Sequence, residues 1–298
     1  MCRFVAYLGL PILIEEVLFE TRNSLIKQSM KARESEVVLN GDGFGLGWYN
    51  HDIDTEPGIY KSILPAWNDE NLKSISAKLR STCFFAHVRA ASSGSLSHHN
   101  CHPFAYKSYM FMHNGGLGGF IQIKREMRRE LNDEMYNWIL GDTDSEHFAA
   151  LVFEFINRHQ GLTSLDSITQ AIEQAIHFVE SLQAKHKITE PNYINAVLTT
   201  GKSLIAIRYV GQAEDTPSSL HYALGSHYEA SHGGFTVKKD KTQSDTTVFV
   251  TSERLDSHKA NWLEVKPNHF LMVSSATEVM QRPVKIHKRV KKGLRPSS

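Results

Sequence analysis

The chain lacks an excess of charge, a disulfide-forming set of cysteines and any long hydrophobic run. Its 298 residues hold 33 Lys and Arg against 32 Asp and Glu, a net charge of +1. That balance predicts neither a nucleic acid nor a membrane surface as partner. The three cysteines, Cys2, Cys83 and Cys101, are too few for a disulfide scaffold, which favours a reducing compartment. With no secretory signal and no apolar run near the roughly 20 residues of a membrane helix, we expect a cytoplasmic protein.

Strand and helix patterns occur in blocks along the chain. We predict strands at 2–9, 44–49, 82–88 and 108–113, then helices at 125–140, 144–159 and about 165–186, then strands within 193–210, 246–253 and 269–275. The polar stretch 211–245 is expected to be a long loop or an irregular hairpin. This order predicts an α+β fold in a single domain over 1–282, followed by a basic, flexible tail over 283–298.

The opening segment "MCRFVAYLG" places a cysteine directly before a strand pattern. Chain termini are usually frayed, but a terminus that pairs into a sheet is held in place. We therefore treat Cys2 as a candidate functional residue.

Glycines recur at every second position in "NGDGFGLGWY" (40–49). A phosphate-binding glycine loop opens a helix after a strand, whereas these glycines run into aromatic residues. Alternating glycines let another backbone or a ligand approach one face of a strand closely. A glycine-rich edge strand without chemistry fits the pattern equally well.

Polar residues crowd the segment "FFAHVRAASSGSLSHHNCHPF" (84–104). Arg89 follows a strand and suits a bidentate grip on a carboxylate, although a surface ion pair is the common alternative. His98, His99, Cys101 and His102 are zinc-ligand types, but their spacing is poor and no second cluster accompanies them. Cys101 and His102 also resemble a nucleophile and its base, yet sequence neighbours rarely form such a pair. We predict no metal site here.

Two further turns carry candidate groups. In "YMFMHNGGL" (109–117), Asn114 and Gly115 offer an amide and a backbone N–H of the kind that an oxyanion hole requires, although Asn-Gly is also an ordinary hairpin turn. In "GDTDSEHF" (141–148), Asp142 and Asp144 precede a helix, where either can be a simple cap or a ligand for an ammonium group.

In this order, the motifs resemble the class II glutamine amidotransferases of the N-terminal-nucleophile hydrolase superfamily, and in particular the stand-alone subfamily of ergothioneine-pathway and glutathione-degrading members. The matching segments are "MCRF", "NGDGFG", "AHVRAAS", "NCHPF", "HNGGL" and "GDTDSE", with "VTSERLD" and "NWLEVKPNHFLMV" near the end. The resemblance implies a four-layer αββα sandwich with two mostly antiparallel sheets.

The resemblance also implies a nucleophile that is its own base. Removal of Met1 would make Cys2 the first residue, with its thiol as nucleophile and its α-amine as general base. An α-amine titrates at about 7.7–8.0 and a thiol near about 8.5, so the pair needs no histidine.

The remaining roles follow from the same resemblance. Arg89 would bind the α-carboxylate of the substrate and Asp144 its α-ammonium. Asn114 and Gly115 would form the oxyanion hole, and His102 would shape the pocket wall. The implied reaction is hydrolysis of the γ-amide of glutamine or a γ-glutamyl compound through a glutamyl thioester, releasing glutamate and ammonia or an amine, without a cofactor.

The chain departs from the biosynthetic members of the family at one place. Arg89 is followed by Ala90 and Ala91 instead of a Trp-containing segment, which leaves room for a larger γ-glutamyl amide. No segment resembles the synthase domain of those members, so we expect the protein to work alone or with a separate acceptor or peptidase subunit. Two other hypotheses remain open: a non-catalytic amidotransferase-fold subunit, and a zinc-dependent hydrolase using the 98–102 cluster.

Overall fold

The fold is that of a computed structural model, which describes residues 2–34, 37–91, 94–159, 164–212, 215–231, 234–238, 247–256, 261–275 and 278–286. The helices are α1 (Leu25–Met30), α2 (Glu70–Ser76), α3 (Phe120–Glu130), α4 (Asp133–Trp138), α5 (Asp144–Arg158) and α6 (Leu165–His186), with short helical turns at Glu16–Glu20, Ala66–Asn68 and His98–Asn100. Within these described ranges, no helix is long and apolar enough to cross a membrane.

The strands form two antiparallel sheets and one hairpin. The first sheet has the order β13 (Leu263–Glu264), β9 (His221–Gly225), β12 (Thr247–Thr251), β1 (Arg3–Leu13), β4 (Arg80–Val88), β2 (Phe44–Trp48) and β3 (Gly58–Ser62). The second has the order β15 (Val279–Pro283), β14 (His269–Val273), β8 (Leu204–Val210), β7 (Tyr193–Thr199), β6 (Tyr109–Gly116) and β5 (Phe104–Tyr106). Strands β10 (His227–Ser231) and β11 (Gly234–Lys238) pair as a hairpin.

Three hydrophobic clusters separate four layers. One cluster lies between the sheets and joins Phe4 and Phe85 to Met110 and Met112. A second lies between the first sheet and α1, α2 and their flanking turns. The third, the largest, lies between the second sheet and α3, α5 and α6. The layers therefore run helix, sheet, sheet, helix, which confirms the predicted αββα sandwich.

Strand β1 shows why its sequence reads as a continuous apolar run. Phe4 and Ala6 face the second sheet, whereas Val5 and Tyr7 face the outer helices. Side chains alternate between the two faces of a strand, and here both faces are covered. Burial on both sides holds the residue that precedes the strand, Cys2, at a defined place.

The predicted helix over 125–140 is wrong in its extent. Helix α3 begins at Phe120 and ends at Glu130, and Leu131 is extended. A new helix begins because the Asn132 side chain accepts a hydrogen bond from the Met135 N–H at 2.8 Å. Asparagine is a strong N-cap, and this cap interrupts an apolar pattern that continues at helical spacing.

For the stretch 211–245 the sequence predicts a long loop or an irregular hairpin, and among its described residues β10 and β11 form a hairpin. Strand β9, which pairs with β12 inside the first sheet, is an addition that the sequence did not predict. At the other end, Val284 and Ile286 pack against the largest cluster. Residues 287–298 of the predicted basic tail lie outside the described residues.

Candidate active site

A cavity of about 280 Å³ lies where several strands of the two sheets end. It brings together five of the six predicted site residues: Cys2, Arg89, His102, Gly115 and Asp144. The sixth, Asn114, contacts Cys2 from strand β6 of the second sheet. The other lining residues are Val37, Ala90, Ala91, Asn100, His113, Thr143 and Ser145.

Cys2 reaches the cavity through the pairing of β1 with β4. Arg3 lies opposite Val88 in this register, so Cys2 falls beside the end of β4. There the Ala90 N–H donates to the Cys2 sulfur at 3.3 Å. Burial raises the pKa of the Cys2 thiol, and the Ala90 N–H and the guanidinium groups of Arg89 and Arg3 oppose that shift. This balance favours the protonated thiol over the thiolate.

Arg89 is buried, with 3 % of its surface exposed. Its backbone is held by Gly43 and Asp42, through bonds from Arg89 N to Gly43 O at 2.9 Å and from Asp42 N to Arg89 O at 3.0 Å. Its Nη1 donates to Ser95 O at 3.2 Å. A buried guanidinium on the wall of a cavity does not fit the alternative of a surface ion pair, and it offers a charged fork to a carboxylate.

Asp142 anchors residues 95–100, which follow Arg89 along the chain, through three hydrogen bonds. Asn100 Nδ2 donates to Asp142 Oδ1 at 2.7 Å, and Asn100 Oδ1 accepts from Asp142 N at 3.0 Å. Asp142 Oδ2 also accepts from the Ser95 N–H at 3.3 Å. Asp142 therefore joins the 94–100 loop to the start of α5, and it is not among the residues that line the cavity.

Asp144 is the aspartate that faces the cavity. It is the first residue of α5, after the N-cap Thr143. Its Oδ2 accepts from Leu117 N and its Oδ1 from Ser145 N, both at 2.8 Å. Two backbone donors and the positive end of the helix dipole stabilise a carboxylate here.

Asn114 and Gly115 lie near the end of strand β6, beside Cys2. Asn114 Nδ2 donates to the backbone oxygen of Cys2 and, at 2.9 Å, to Ser252 Oγ. Gly115 has φ +149°, and a Cβ there would lie 1.8 Å from Tyr193 O. Any larger residue would clash with β7, so this strand position requires glycine. Asn114 and Gly115 pair with Asn195 and Ile194 inside the second sheet, so the alternative of an ordinary hairpin turn at Asn-Gly is wrong. In this state both amide hydrogens of Asn114 are donated within the protein.

The histidines divide into a buried and an exposed group. The His102 ring lies 4.2 Å from that of His87, and burial lowers the pKa of both, that of His87 to about 3, so both are neutral near pH 7. His98 and His99 are exposed, while Cys101 is buried with its sulfur 3.6 Å from two backbone oxygens. Among the residues that the structure describes, no three His, Cys, Asp or Glu side chains converge as metal ligands.

The alternating glycines allow close approach between layers. Strand β2 lies between β4 and β3, so it is not an edge strand. A Cβ at Gly45 would lie 2.1 Å from His102 O, and one at Gly47 would lie 2.4 Å from Met110 Sδ. The bare face of β2 therefore accommodates the His102 backbone and the Pro103 ring, which holds His102 at the cavity.

Several lining residues escaped the sequence reasoning. His113 and Ser145 lie inside the motifs "HNGGL" and "GDTDSE", so their motif positions were the available signal. Ser252, which binds Asn114, lies inside "VTSERLD". Val37 reaches the cavity from a segment with no motif.

The fold is that of the N-terminal-nucleophile amidotransferases. The glutamine phosphoribosylpyrophosphate amidotransferase of B. subtilis superimposes on 96% of this chain and 50% of its own, with a TM-score of 0.59 and 13% identity. A glutamine aminotransferase class-II domain protein of Silicibacter pomeroyi superimposes on 95% of this chain and 100% of its own, with a TM-score of 0.64 and 27% identity.

The family model for class-II glutamine amidotransferases matches residues 19–294, and the chain belongs to that family of enzymes. It is 33% identical to the probable glutamine amidotransferase DUG3 of Saccharomyces cerevisiae over 305 residues, 95% of this chain and 84% of that protein. It is 32% identical to the gamma-glutamyl-hercynylcysteine sulfoxide hydrolase of Mycolicibacterium smegmatis over 117 residues, 39% of this chain and 51% of that protein. The family and subfamily predicted from the motifs are confirmed.

Proposed function

We propose that the protein hydrolyses the γ-amide of glutamine or of a γ-glutamyl compound through a thioester on Cys2. The observation that carries this proposal is the meeting of Cys2, Arg89 and Asp144 in one cavity of about 280 Å³. A cation and an anion beside a thiol suit a substrate that carries a carboxylate, an ammonium and a carbonyl. The names of the yeast and mycobacterial relatives agree with this substrate class.

The two charged side chains orient the glutamyl unit. Arg89 binds the α-carboxylate through its guanidinium fork, and Asp144 binds the α-ammonium. Both side chains are held by backbone contacts before substrate arrives, so little ordering is required on binding. The γ-carbonyl carbon then lies at the Cys2 sulfur.

Removal of Met1 frees the base. The α-amine of Cys2 takes the thiol proton, and the sulfur forms a bond to the γ-carbonyl carbon while the carbonyl π pair moves to its oxygen. The tetrahedral intermediate collapses by breaking the C–N bond, and the ammonium returns its proton to the departing nitrogen. Water then attacks the thioester with the same amine as base, which releases glutamate and restores the thiol.

Asn114 and Gly115 are proposed to stabilise the oxyanion. For this role Asn114 Nδ2 must exchange one of its present bonds, to Cys2 O or to Ser252 Oγ, for the substrate oxygen. Loss of one such donor costs about 10²–10³ in rate. His102, neutral and packed against His87, serves as wall rather than as acid or base.

Small or exposed residues line part of the cavity. These are Ala90, Ala91 and Val37, of which Ala91 and Val37 are exposed to solvent, and we assign the departing amine to this part. A wall of this kind accommodates an amine larger than ammonia. We therefore include γ-glutamyl peptides among the proposed substrates.

The test combines intact mass with turnover. The active protein should lack Met1, release glutamate from glutamine or glutathione, and be labelled once, at Cys2, by a glutamine-like diazo-ketone. Cys2→Ala should abolish release and labelling, whereas Cys83→Ala, at a buried thiol next to Thr199 in the core, should retain both. Full activity in a preparation that retains Met1, or in Cys2→Ala, would refute the proposal.

A further inference from the structure

His113 and Ser145 form a hydrogen-bonded pair on the cavity wall. His113 comes from β6 and Ser145 from the first turn of α5, and both line the cavity. His113 Nδ1 lies 2.8 Å from Ser145 Oγ, and His113 Nε2 lies 3.1 Å from Tyr193 O. The pair is therefore part of a chain of three groups that ends at the cavity.

The hydrogens of this chain can be assigned from its far end. The Tyr193 carbonyl oxygen only accepts, so Nε2 must carry the hydrogen. Burial lowers the pKa of His113, although the nearby Asp144 carboxylate acts in the opposite direction. The lowered pKa favours a neutral ring with one N–H. Nδ1 is then an acceptor, and the Ser145 hydroxyl must donate its hydrogen to it.

This assignment leaves Ser145 Oγ with lone pairs and no hydrogen to give to a ligand. The neighbouring Asp144 carboxylate is likewise an acceptor without a hydrogen. The Thr143 hydroxyl, by contrast, accepts the Glu146 N–H at 3.2 Å as the helix cap. Ser145 is 7 % exposed and lines the cavity next to Asp144. Together, Asp144 and Ser145 form an acceptor pair matched to a group with several N–H donors.

We propose that Ser145 Oγ is a second acceptor for the α-ammonium of the glutamyl substrate, beside Asp144, and that His113 is the positioning residue that holds the serine hydrogen away from it. The inference rests on the proposed function and deepens it. It assigns to these two residues part of the preference for a glutamyl group over a glutaryl group, which lacks only the ammonium.

The experiment compares L-glutamate with glutarate by isothermal titration calorimetry on the full chain at pH 7. The wild-type protein should bind glutamate more tightly. Ser145→Ala should weaken glutamate binding by about tenfold, since hydrogen bonds to charged groups are among the stronger ones, and should leave glutarate binding unchanged. Ser145→Thr, which keeps the hydroxyl, should restore most of the preference.

The role of His113 is tested by replacing Nδ1, the atom that accepts the Ser145 hydrogen. His113→Asn keeps an amide oxygen near the position of Nδ1 and should retain the preference for glutamate. His113→Leu removes the acceptor and should reduce that preference while glutarate binding persists as evidence of an intact site.

Two negative outcomes are distinguishable. If the wild-type protein does not prefer glutamate, the role of Asp144 and the proposed function itself fail. If it prefers glutamate but Ser145→Ala keeps the full preference, or if glutarate binding falls as much as glutamate binding, the present inference fails and the proposed function stands.

Discussion

The buried ion pair of Arg3 and Glu253 is the clearest place to test the energetics of this site. Both side chains are at most 2 % exposed, and Arg3 Nη1 lies 3.4 Å from Glu253 Oε1. Glu253 Oε1 also accepts from the backbone N–H groups of Arg33 and Glu34, each at 2.9 Å. One carboxylate therefore holds both the residue after Cys2 and the segment that leads to Val37 at the cavity.

Replacing Glu253 by Gln keeps the shape of the side chain and removes its charge. Breaking a buried ion pair by removing one partner costs about 3–5 kcal/mol. The new amide nitrogen also faces N–H donors on part of its surface, which adds to the loss. We expect the free energy of unfolding of Glu253→Gln to fall by about 3 kcal/mol or more.

The matched control is an exposed pair. Arg158 Nη1 lies 2.6 Å from Glu130 Oε1, but these side chains are 44 % and 32 % exposed. Solvent screens such pairs, so Glu130→Gln should cost about 1 kcal/mol or less. Urea unfolding of both variants at pH 7 measures the difference. Equal losses in the two variants would refute the view that burial makes the Arg3–Glu253 pair a structural anchor.

Two further predictions concern packing and pH. Gly45→Ala should lower stability by about 1–3 kcal/mol and reduce activity, because its Cβ would lie 2.1 Å from His102 O. The control, Gly211→Ala, should be nearly neutral, because its Cβ would meet only the end of a flexible carboxylate at 3.3 Å. Equal melting temperatures for the two variants would contradict this prediction. Burial lowers the pKa of His87 to about 3 and of His147 to about 4, so the unfolded chain binds more protons below about pH 6.5. The stabilisation that comes from these two neutral histidines is therefore complete above that pH. It is lost as pH falls towards 4, and at pH 5 the free energy of unfolding is lower by about 2 kcal/mol per histidine. Urea unfolding at pH 7 and pH 5 should show this loss, and His147→Gln should reduce it; an unchanged pH dependence in that variant would be the contrary result.

Local patterns predicted much of the fold because burial leaves direct marks on the chain. The apolar run of β1 and the 144–159 and 165–186 periodicities correspond to elements packed against the core. The pattern failed at 125–140, where α3 ends at Glu130 and the Asn132 cap begins a separate helix, α4. The pattern also failed at β9, a five-residue strand that forms because it pairs with β12 rather than because of the strand propensity of its own residues.

The residue types that the proposed chemistry requires were visible in the chain: a cysteine before a strand, an arginine after one, an Asn-Gly pair and aspartates before a helix. Their order was enough to identify the family. Which group meets which depended on contacts between residues far apart in sequence, since β-sheet register and layer packing decide them. Those contacts place Asp144 at the cavity and Asp142 on Asn100, put Ala90 against the Cys2 sulfur, and join His113 to Ser145. Hydrogen bonds act over about 3 Å, so no reading of residue types along the chain can supply partners that only folding brings within that distance.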